Sequence, residues 1–370
     1  MKPEKLDRLV LNNFKCHAAL DLPLGDLTVL TGFNSAGKSS IHQSLALLVQ
    51  STTGDRPPET LALKGPLVDL GQTGEVLNQL AGGVSFGIDL HFSTRNVLFI
   101  VSGDRRSSSP TVQSVVGPQD DVYPAIASYL RSCVYLTTQR PPVNVLSGLI
   151  EGETQQRIGP SGEGCVSLLY TLDQQVVTES LCVPALPPTL PRQVDAWMRR
   201  FFPGFAMDIQ PAAGASGVLA MGMRTSDQSN FHAPANVGFG LSYLLPIVTA
   251  LLHTKPGALL VIETPEAHIH PSAQSLMGQL IAQVAASGVQ VMVETHSDHL
   301  INGIRMAVKD RQCPAEAVKI HFFGGHDESG GAVRYIPMDS RGTLAEWPKG
   351  FCDQYDTDLM KLIDINGEVK

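Results

Sequence analysis

The residues most plainly able to do chemistry are Gly32-Phe33-Asn34-Ser35-Ala36-Gly37-Lys38-Ser39. They fit G-x-x-x-x-G-K-[ST], the spacing of a phosphate-binding loop. In such a loop the backbone N–H groups and the N-terminus of the following helix face phosphate oxygens. Lys38 reaches the β- and γ-phosphates, the Ser39 hydroxyl takes Mg²⁺, and Asn34, Ser35, Ala36, Gly37 and Ser40 line the cradle. The flanks suit the motif. Residues 27–31 read as a short buried strand, and Ile41, Leu45 and Leu48 recur at helical spacing, so a helix starts at Lys38 or Ser39. The alternative, an accidental glycine-rich turn before a helix, does not account for both flanks.

Further groups should gather around this loop. Residues 258–266 are a continuous apolar run ending in Glu263-Thr264-Pro265-Glu266. That pattern reads as a central parallel strand with acidic groups at its C-terminal edge, where ligands bind in open α/β sheets. Glu263 is the candidate Mg²⁺ carboxylate, acting through water. Glu266 is the candidate to orient or deprotonate an attacking water. The strand at 289–293 ends in Glu294-Thr295-His296-Ser297 and places His296 at the same edge, in reach of a γ-phosphate. Asn236-Val237-Gly238-Phe239-Gly240-Leu241-Ser242 is a glycine-rich turn entering an apolar helix at 244–252, with Ser242 as candidate N-cap. Gly238, Gly240 and Ser242 form a second candidate anion site; tight packing at a helix start is the other reading.

Two residues keep two readings each. Lys15 is a phosphate or base contact, or a surface lysine. Gln72 is a γ-phosphate or metal sensor, or a turn residue. His268, His270, His296 and His299 with Glu266 and Asp298 match no familiar zinc spacing, and polar loops beside a phosphate site explain them more simply.

Composition sets outer limits. A chain of 370 residues holds two domains or one large α/β domain with insertions. With 43% hydrophobic residues it can bury a substantial core, and a formal net charge of −8 argues against general nucleic-acid binding, leaving room for a local basic patch. Cys16, Cys133, Cys165, Cys182, Cys313 and Cys352 are scattered without a C-x-x-C pair, which reads as reduced and structural. The N-terminus runs straight into a strand with no signal peptide, and no apolar run reaches membrane length, so the expectation is a soluble cytoplasmic protein.

The elements that must position the site follow from periodicity. Residues 6–31 read as three strands, the last feeding the loop. Residues 51–130 offer no helix; strict alternation over 84–92, then runs at 97–101 and 111–116, predict a small antiparallel sheet inserted after the loop helix. A strand follows at 133–137. Residues 143–190 are rich in Gly, Pro, Ser and Gln and resist assignment. Pro191 opens a helix with Val194, Trp197, Met198 and Phe201 on one face. After a helix begun by Pro271 come strands at 318–323 and 332–336, separated by a glycine turn, and a last helix marked by Leu359, Leu362 and Ile363. There is no long heptad array and no internal repeat.

The ordered set resembles the ABC-type ATPase heads of the SMC, RecF and OLD group. Leu11-Asn12-Asn13-Phe14-Lys15 is similar to their N-terminal strand, and residues 32–40 to their G-x-N-x-x-G-K-S-[ST] loop. Residues 262–271 resemble the I-E-x-P-E-A-H-L-H-P run of the OLD-like branch, and Glu294-Thr295-His296-Ser297 its switch-histidine segment. Trp347-Pro348-Lys349-Gly350-Phe351 resembles the W-P-x-G-F-F ending of a domain-of-unknown-function subgroup of small prokaryotic AAA-type ATPases. The likeness covers roughly 1–80 and 230–355. It implies an α/β P-loop NTPase with a parallel core sheet, an N-terminal antiparallel lobe over 1–140, an inserted segment over 141–235, and a C-terminal lobe over 236–370. It also implies ATP and Mg²⁺ as ligands and a head-to-tail homodimer sandwiching two ATP molecules. Members work in DNA repair, chromosome handling or antiphage systems beside a nuclease or toxin.

Two departures stand out. The usual Asp-Glu pair is Glu263-Thr264 here, which moves the base role to Glu266 or weakens it and implies slow hydrolysis. The usual Ser-Gly-Gly signature is replaced by Gly238-Phe239-Gly240, leaving Ser242 to supply the serine contact. Three functions follow: an ATP-hydrolysing switch, a non-catalytic nucleotide-gated assembly module favoured by Thr264, and a transporter ATPase, which the OLD-like run and the tail disfavour.

Overall fold

The structure is a computed structural model that describes residues 5–117, 123–150, 157–324, 333–351 and 353–362. Cys352, most of the expected glycine turn before residue 333 and Ile363 lie outside these. The first part of the chain runs β1 (Leu6–Phe14), β2 (His17–Pro23), β3 (Leu27–Gly32), α1 (Lys38–Ser51), α2 (Thr73–Val76), β4 (Ser85–Phe92), β5 (Arg95–Ser102), β6 (Thr111–Val116), α3 (Tyr123–Arg131) and β7 (Val134–Leu136). The middle holds β8 (Leu146–Gly148), α4 (Cys165–Thr171), α5 (Leu190–Phe201), β9 (Ala206–Pro211) and β10 (Val218–Arg224). The last part holds α6 (Phe239–His253), β11 (Leu259–Glu263), α7 (Pro271–Ala286), β12 (Gln290–Glu294), α8 (Asp298–Lys309), β13 (Val318–Phe323), β14 (Val333–Ile336) and α9 (Gln354–Leu362).

The apolar runs make a six-stranded sheet in the order β14-β13-β3-β12-β11-β7. Every neighbouring pair from β13 to β7 is parallel, and β14 closes the edge antiparallel. Strands buried on both faces need apolar residues at every position, which is why these segments read as unbroken runs. The pleat sorts them. Tyr135, Leu259, Val261, Met292 and Phe323 point toward α1 and the antiparallel sheet. Leu260, Ile262, Val291, Val293 and Ile320 point into the core shared with α6, α7 and α8. The parallel sheet therefore lies between two apolar layers.

The expected insert is not a separate sheet. β4, β5 and β6 extend the β1–β2 hairpin into one five-stranded antiparallel sheet, β2-β1-β4-β5-β6. A buried amide fixes it to the parallel sheet. Gln290, at the start of β12, accepts from the Leu6 N–H at 3.0 Å and the Tyr129 hydroxyl at 2.6 Å, and donates to the carbonyls of Leu6 at 2.7 Å and Gly25 at 3.0 Å.

Three further readings are corrected. Residues 51–130 do contain helix: short α2 and α3, whose Tyr123, Ile126, Tyr129 and Leu130 are buried. The unassigned middle builds a third sheet, β8-β10-β9, beside α4 and α5. Helix α6 starts at Phe239 with Gly238 as N-cap, so Ser242 is not the cap. Among the described residues no helix is long and apolar enough to cross a membrane.

Candidate nucleotide site at the ends of the parallel strands

The loop between β3 and α1 has the backbone that its motif requires. Ser35 and Gly37 both lie at positive φ, 61° and 97°. A Cβ at Gly37 would also lie 2.6 Å from both Cys16 Sγ and His17 Nε2, so only glycine lets the β1–β2 turn press against the loop. His17 Nε2 meets the Gly37 carbonyl at 3.1 Å, and Cys16 Sγ lies 3.6 Å from Ser40 Oγ. This contact brings Lys15 to α1, where Lys15 Nζ donates to Gln43 Oε1 at 2.7 Å. Partial burial lowers the Lys15 pKa.

Lys38 is almost fully buried and folds back into its own loop, donating to the carbonyls of Gly32 at 3.1 Å and Phe33 at 2.7 Å. Burial lowers its pKa, and the charge of Glu294 resists that. Glu294 Oε1 lies 3.8 Å from Lys38 Nζ. Ser39 Oγ donates to Glu294 Oε2 at 3.2 Å. The carboxylate beside the loop hydroxyl is thus Glu294 of β12, a position that the sequence reading quoted without giving it a role.

Glu263 stands next to it. The two glutamates are register partners on adjacent parallel strands and share the α1 face of the sheet. Side by side their charges would repel; His42 of α1 stands between them. Its Nδ1 is 3.2 Å from Glu263 Oε1 and its Nε2 is 2.9 Å from Glu294 Oε2, the latter out of line for a good hydrogen bond. Burial alone would push the His42 pKa down, yet the two carboxylates hold it at about 9. Burial would likewise raise both glutamates, but bonds and charge from His42 overcome it, bringing Glu263 to about 2 and lowering Glu294.

Every lone-pair direction of Glu263 is already used. Oε1 accepts from the Tyr135 hydroxyl at 2.6 Å as well as facing His42, and Oε2 accepts from the Thr138 N–H and hydroxyl, both at 2.9 Å. Just beyond, Arg140 is buried under the β11 turn. It bonds to the Tyr243 hydroxyl and to the carbonyls of Glu263 at 2.9 Å and Thr264 at 3.2 Å, with its guanidinium 4.3 Å from the Tyr243 ring centre. This props Thr264 at a φ of 41°, a left-handed conformation unusual for a β-branched residue.

Glu266 and His296 meet behind Glu294. Glu266 Oε1 accepts the His296 N–H at 2.7 Å, while Oε2 is buried without a partner. Burial raises the Glu266 pKa, and the bonds it accepts offset this only in part. His296 Nε2 is 3.8 Å from Glu294 Oε1; burial, then the nearby Lys38 charge, lower its pKa. A buried carboxylate with a raised pKa beside a histidine with a lowered one is the kind of perturbed pair found where protons are moved.

The remaining candidates separate from this cluster. Gln72 is the exposed N-cap of α2, and its N–H donates to Glu75 Oε2 at 3.0 Å; no bond joins it to the loop. Gly238 and Gly240 sit at the start of α6, beside an exposed Phe239 whose ring centre is 4.5 Å from that of His268. Ser242 is fully buried and donates to the Pro234 carbonyl at 3.3 Å, so it does not offer a hydroxyl to a second molecule. One wall was not foreseen. Phe33 of the loop packs 6.0 Å from Phe322, which packs 5.6 Å from Phe351, which packs 5.3 Å from Trp347. A Cβ on Gly350 would fall 2.4 Å from the Phe33 ring, so the tail and the loop share a surface.

A hydroxyl beside one carboxylate, with phosphates to complete the shell, fits Mg²⁺, which is held by few protein ligands. Among the described residues no cluster of three or more His, Cys, Asp or Glu is arranged to hold a metal unaided.

Sheet order, loop and strand-end acids together define an α/β P-loop NTPase. A family model described as an AAA ATPase domain matches residues 209–301, and one described as a protein of unknown function (DUF3696) matches 313–362. The fold is similar to a solved Smc head bound to the C-winged helix domain of ScpA: TM-score 0.55, 14% identity, covering 90% of this chain and 97% of that one. It is also similar to an Smc head with an extended coiled coil bound to the C-terminal domain of ScpA from Pyrococcus furiosus: TM-score 0.53, 12% identity, covering 97% and 99%. No curated protein matches in sequence. Taken together, these likenesses give a fold like that of the Smc heads, an AAA ATPase domain match over residues 209–301 and a segment of unknown function over 313–362.

Proposed function

We infer that this chain binds ATP with Mg²⁺, hydrolyses it slowly to ADP and phosphate, and uses the cycle to close and open a head-to-tail homodimer that governs a partner protein. The observation that carries the reading is the convergence of Lys38, Ser39, Glu294, Glu266 and His296 at one sheet edge. Lys38 and the N-terminus of α1 bind the phosphates. Glu266 takes the proton of the attacking water, and His296 holds the γ-phosphate. Mg²⁺, when bound, neutralises charge on the β- and γ-phosphates. In this reading residues 1–370 form one ATPase head, 141–235 are its insertion, and the exposed start of α6 at Gly238 and Gly240 meets the partner copy through backbone groups.

Smc heads with this fold are solved with a ScpA domain bound, which supports a partner protein in general. An effector such as a nuclease or toxin, in antiphage defence, is the form we favour; RecF-like action on DNA is the alternative, and the net charge of −8 does not favour it. Steady-state ATPase assays test the chemistry. Lys38→Ala and Glu266→Gln should each lose about a hundredfold or more, and equal rates for wild type and Glu266→Gln would remove Glu266 from the mechanism. Light scattering with ATP, ADP and no nucleotide tests the dimer. A dimer that forms with ATP and never decays would favour the non-catalytic module suggested by Thr264; no nucleotide dependence would defeat both readings.

A further inference from the structure

The acid that ends β11 occupies the position where sequence logic puts the metal carboxylate, yet it has no vacancy. Glu263 receives the Tyr135 hydroxyl and His42 on one oxygen and the Thr138 N–H and hydroxyl on the other. A carboxylate offers about four lone-pair directions. To turn toward a metal or its water, Glu263 would have to abandon donors that hold the β7 exit against β11. Glu294 is placed differently. Its Oε2 already faces the hydroxyl that the loop motif devotes to the metal, at 3.2 Å. Its Oε1 comes no nearer than 3.8 Å to Lys38 Nζ and His296 Nε2, so it has directions to spare on the side of the phosphate loop.

We propose that Glu294, not Glu263, is the carboxylate that takes the Mg²⁺ of the bound nucleotide, and that Glu263 is a strut. His42 is then a positioning residue: bonded to the strut, it stands against the Oε2 edge of Glu294 and fixes that side chain beside Ser39. The chain has moved the acid one strand toward the loop, onto β12, which pairs directly with β3. The vacated position is bonded into the wall.

The proposal rests on the reading that the loop binds nucleotide, and the test separates the two. Affinity for a fluorescent ADP is measured with Mg²⁺ and with EDTA. Wild type should gain affinity from Mg²⁺. Glu294→Gln should lose that gain, about ten- to a hundredfold, while binding in EDTA holds or improves because a negative charge beside the phosphates is gone. Glu263→Gln should keep the gain and instead unfold at a lower temperature. Glu294→Asp, which keeps the charge beside His42, guards against misfolding of the glutamine variant and should reduce the gain. In a Ser39→Ala background the loss from Glu294→Gln should shrink, since both side chains act on one ion. A full gain in Glu294→Gln and Glu294→Asp, or its loss in a folded Glu263→Gln, would overturn the assignment and leave the ATPase reading standing. Wild type that binds no nucleotide in either buffer would overturn both.

Discussion

Two buried histidines show how the surroundings set a residue's charge. His42 and His321 each have one ring nitrogen buried without a hydrogen bond. His42, between two carboxylates, keeps its proton up to about 9. His321 bonds to the Pro23 carbonyl at 2.7 Å and packs 5.7 Å from the Tyr335 ring, and burial, helped by the Lys319 charge, pushes it from 6.5 down to about 4. The fold therefore holds His321 neutral. Below pH 6.5 the unfolded chain takes up a proton that the folded chain refuses until about pH 4, so its contribution is complete above 6.5 and fades as pH falls through that window. His321→Gln keeps a donor for Pro23 but does not titrate. Urea midpoints at several pH values should fall more steeply for wild type than for the variant between pH 6.5 and 4. Parallel curves would show that His321 is not the titrating group.

Among elements, one buried side chain, Gln290, bridges the antiparallel and parallel sheets with four hydrogen bonds. Replacing Gln290 with alanine strands the Leu6 N–H and carbonyl, the Gly25 carbonyl and the Tyr129 hydroxyl in a buried place. Losing such a bond costs about 1–3 kcal/mol where a group stays dry; the variant should lose on the order of 3 kcal/mol by urea unfolding, and a change below about 1 kcal/mol would mean the sheets hold together without it. Elements like these differ in how far sequence exposes them. β3, β11 and β12 were legible because burial on both faces forces unbroken apolar runs, and β4 because one-sided burial forces alternation. α3 had helical spacing in Ile126, Tyr129 and Leu130 but spans only Tyr123–Arg131. β9 and β10 stayed hidden because they mix Asp208, Gln210 and Gly222 with half-buried apolar residues and gain their stability from tertiary packing. The site divides in the same way. Lys38, Ser39, Glu266 and His296 stand in local motifs. The meeting of Glu294 with Ser39, and the filling of Glu263 by Tyr135, Thr138 and His42, depend on strand order and register, which a linear pattern does not contain. A histidine four residues after Lys38, on the helix face that continues with Leu45, Ala46 and Val49, was the one available sign.

At the scale of the molecule, the aromatic wall joins two stretches more than three hundred residues apart in sequence. Phe33 belongs to the phosphate loop; Trp347, Gly350 and Phe351 belong to the segment of unknown function. A nucleotide that displaces Phe33 would be felt at the tail, and by reciprocity a ligand of the tail that senses this displacement would change nucleotide affinity by the same factor. Trp347 is half exposed under the Arg305 guanidinium, whereas Trp197, the other tryptophan, is buried in the core. In a Trp197→Phe background, ATP should therefore shift the Trp347 emission, and Phe33→Ala should abolish the shift; a nucleotide titration that leaves the emission unchanged would show the two ends to be uncoupled. A shift in that emission would make the C-terminal segment a gauge of the phosphate loop, displayed at the outer face where Trp347 stands.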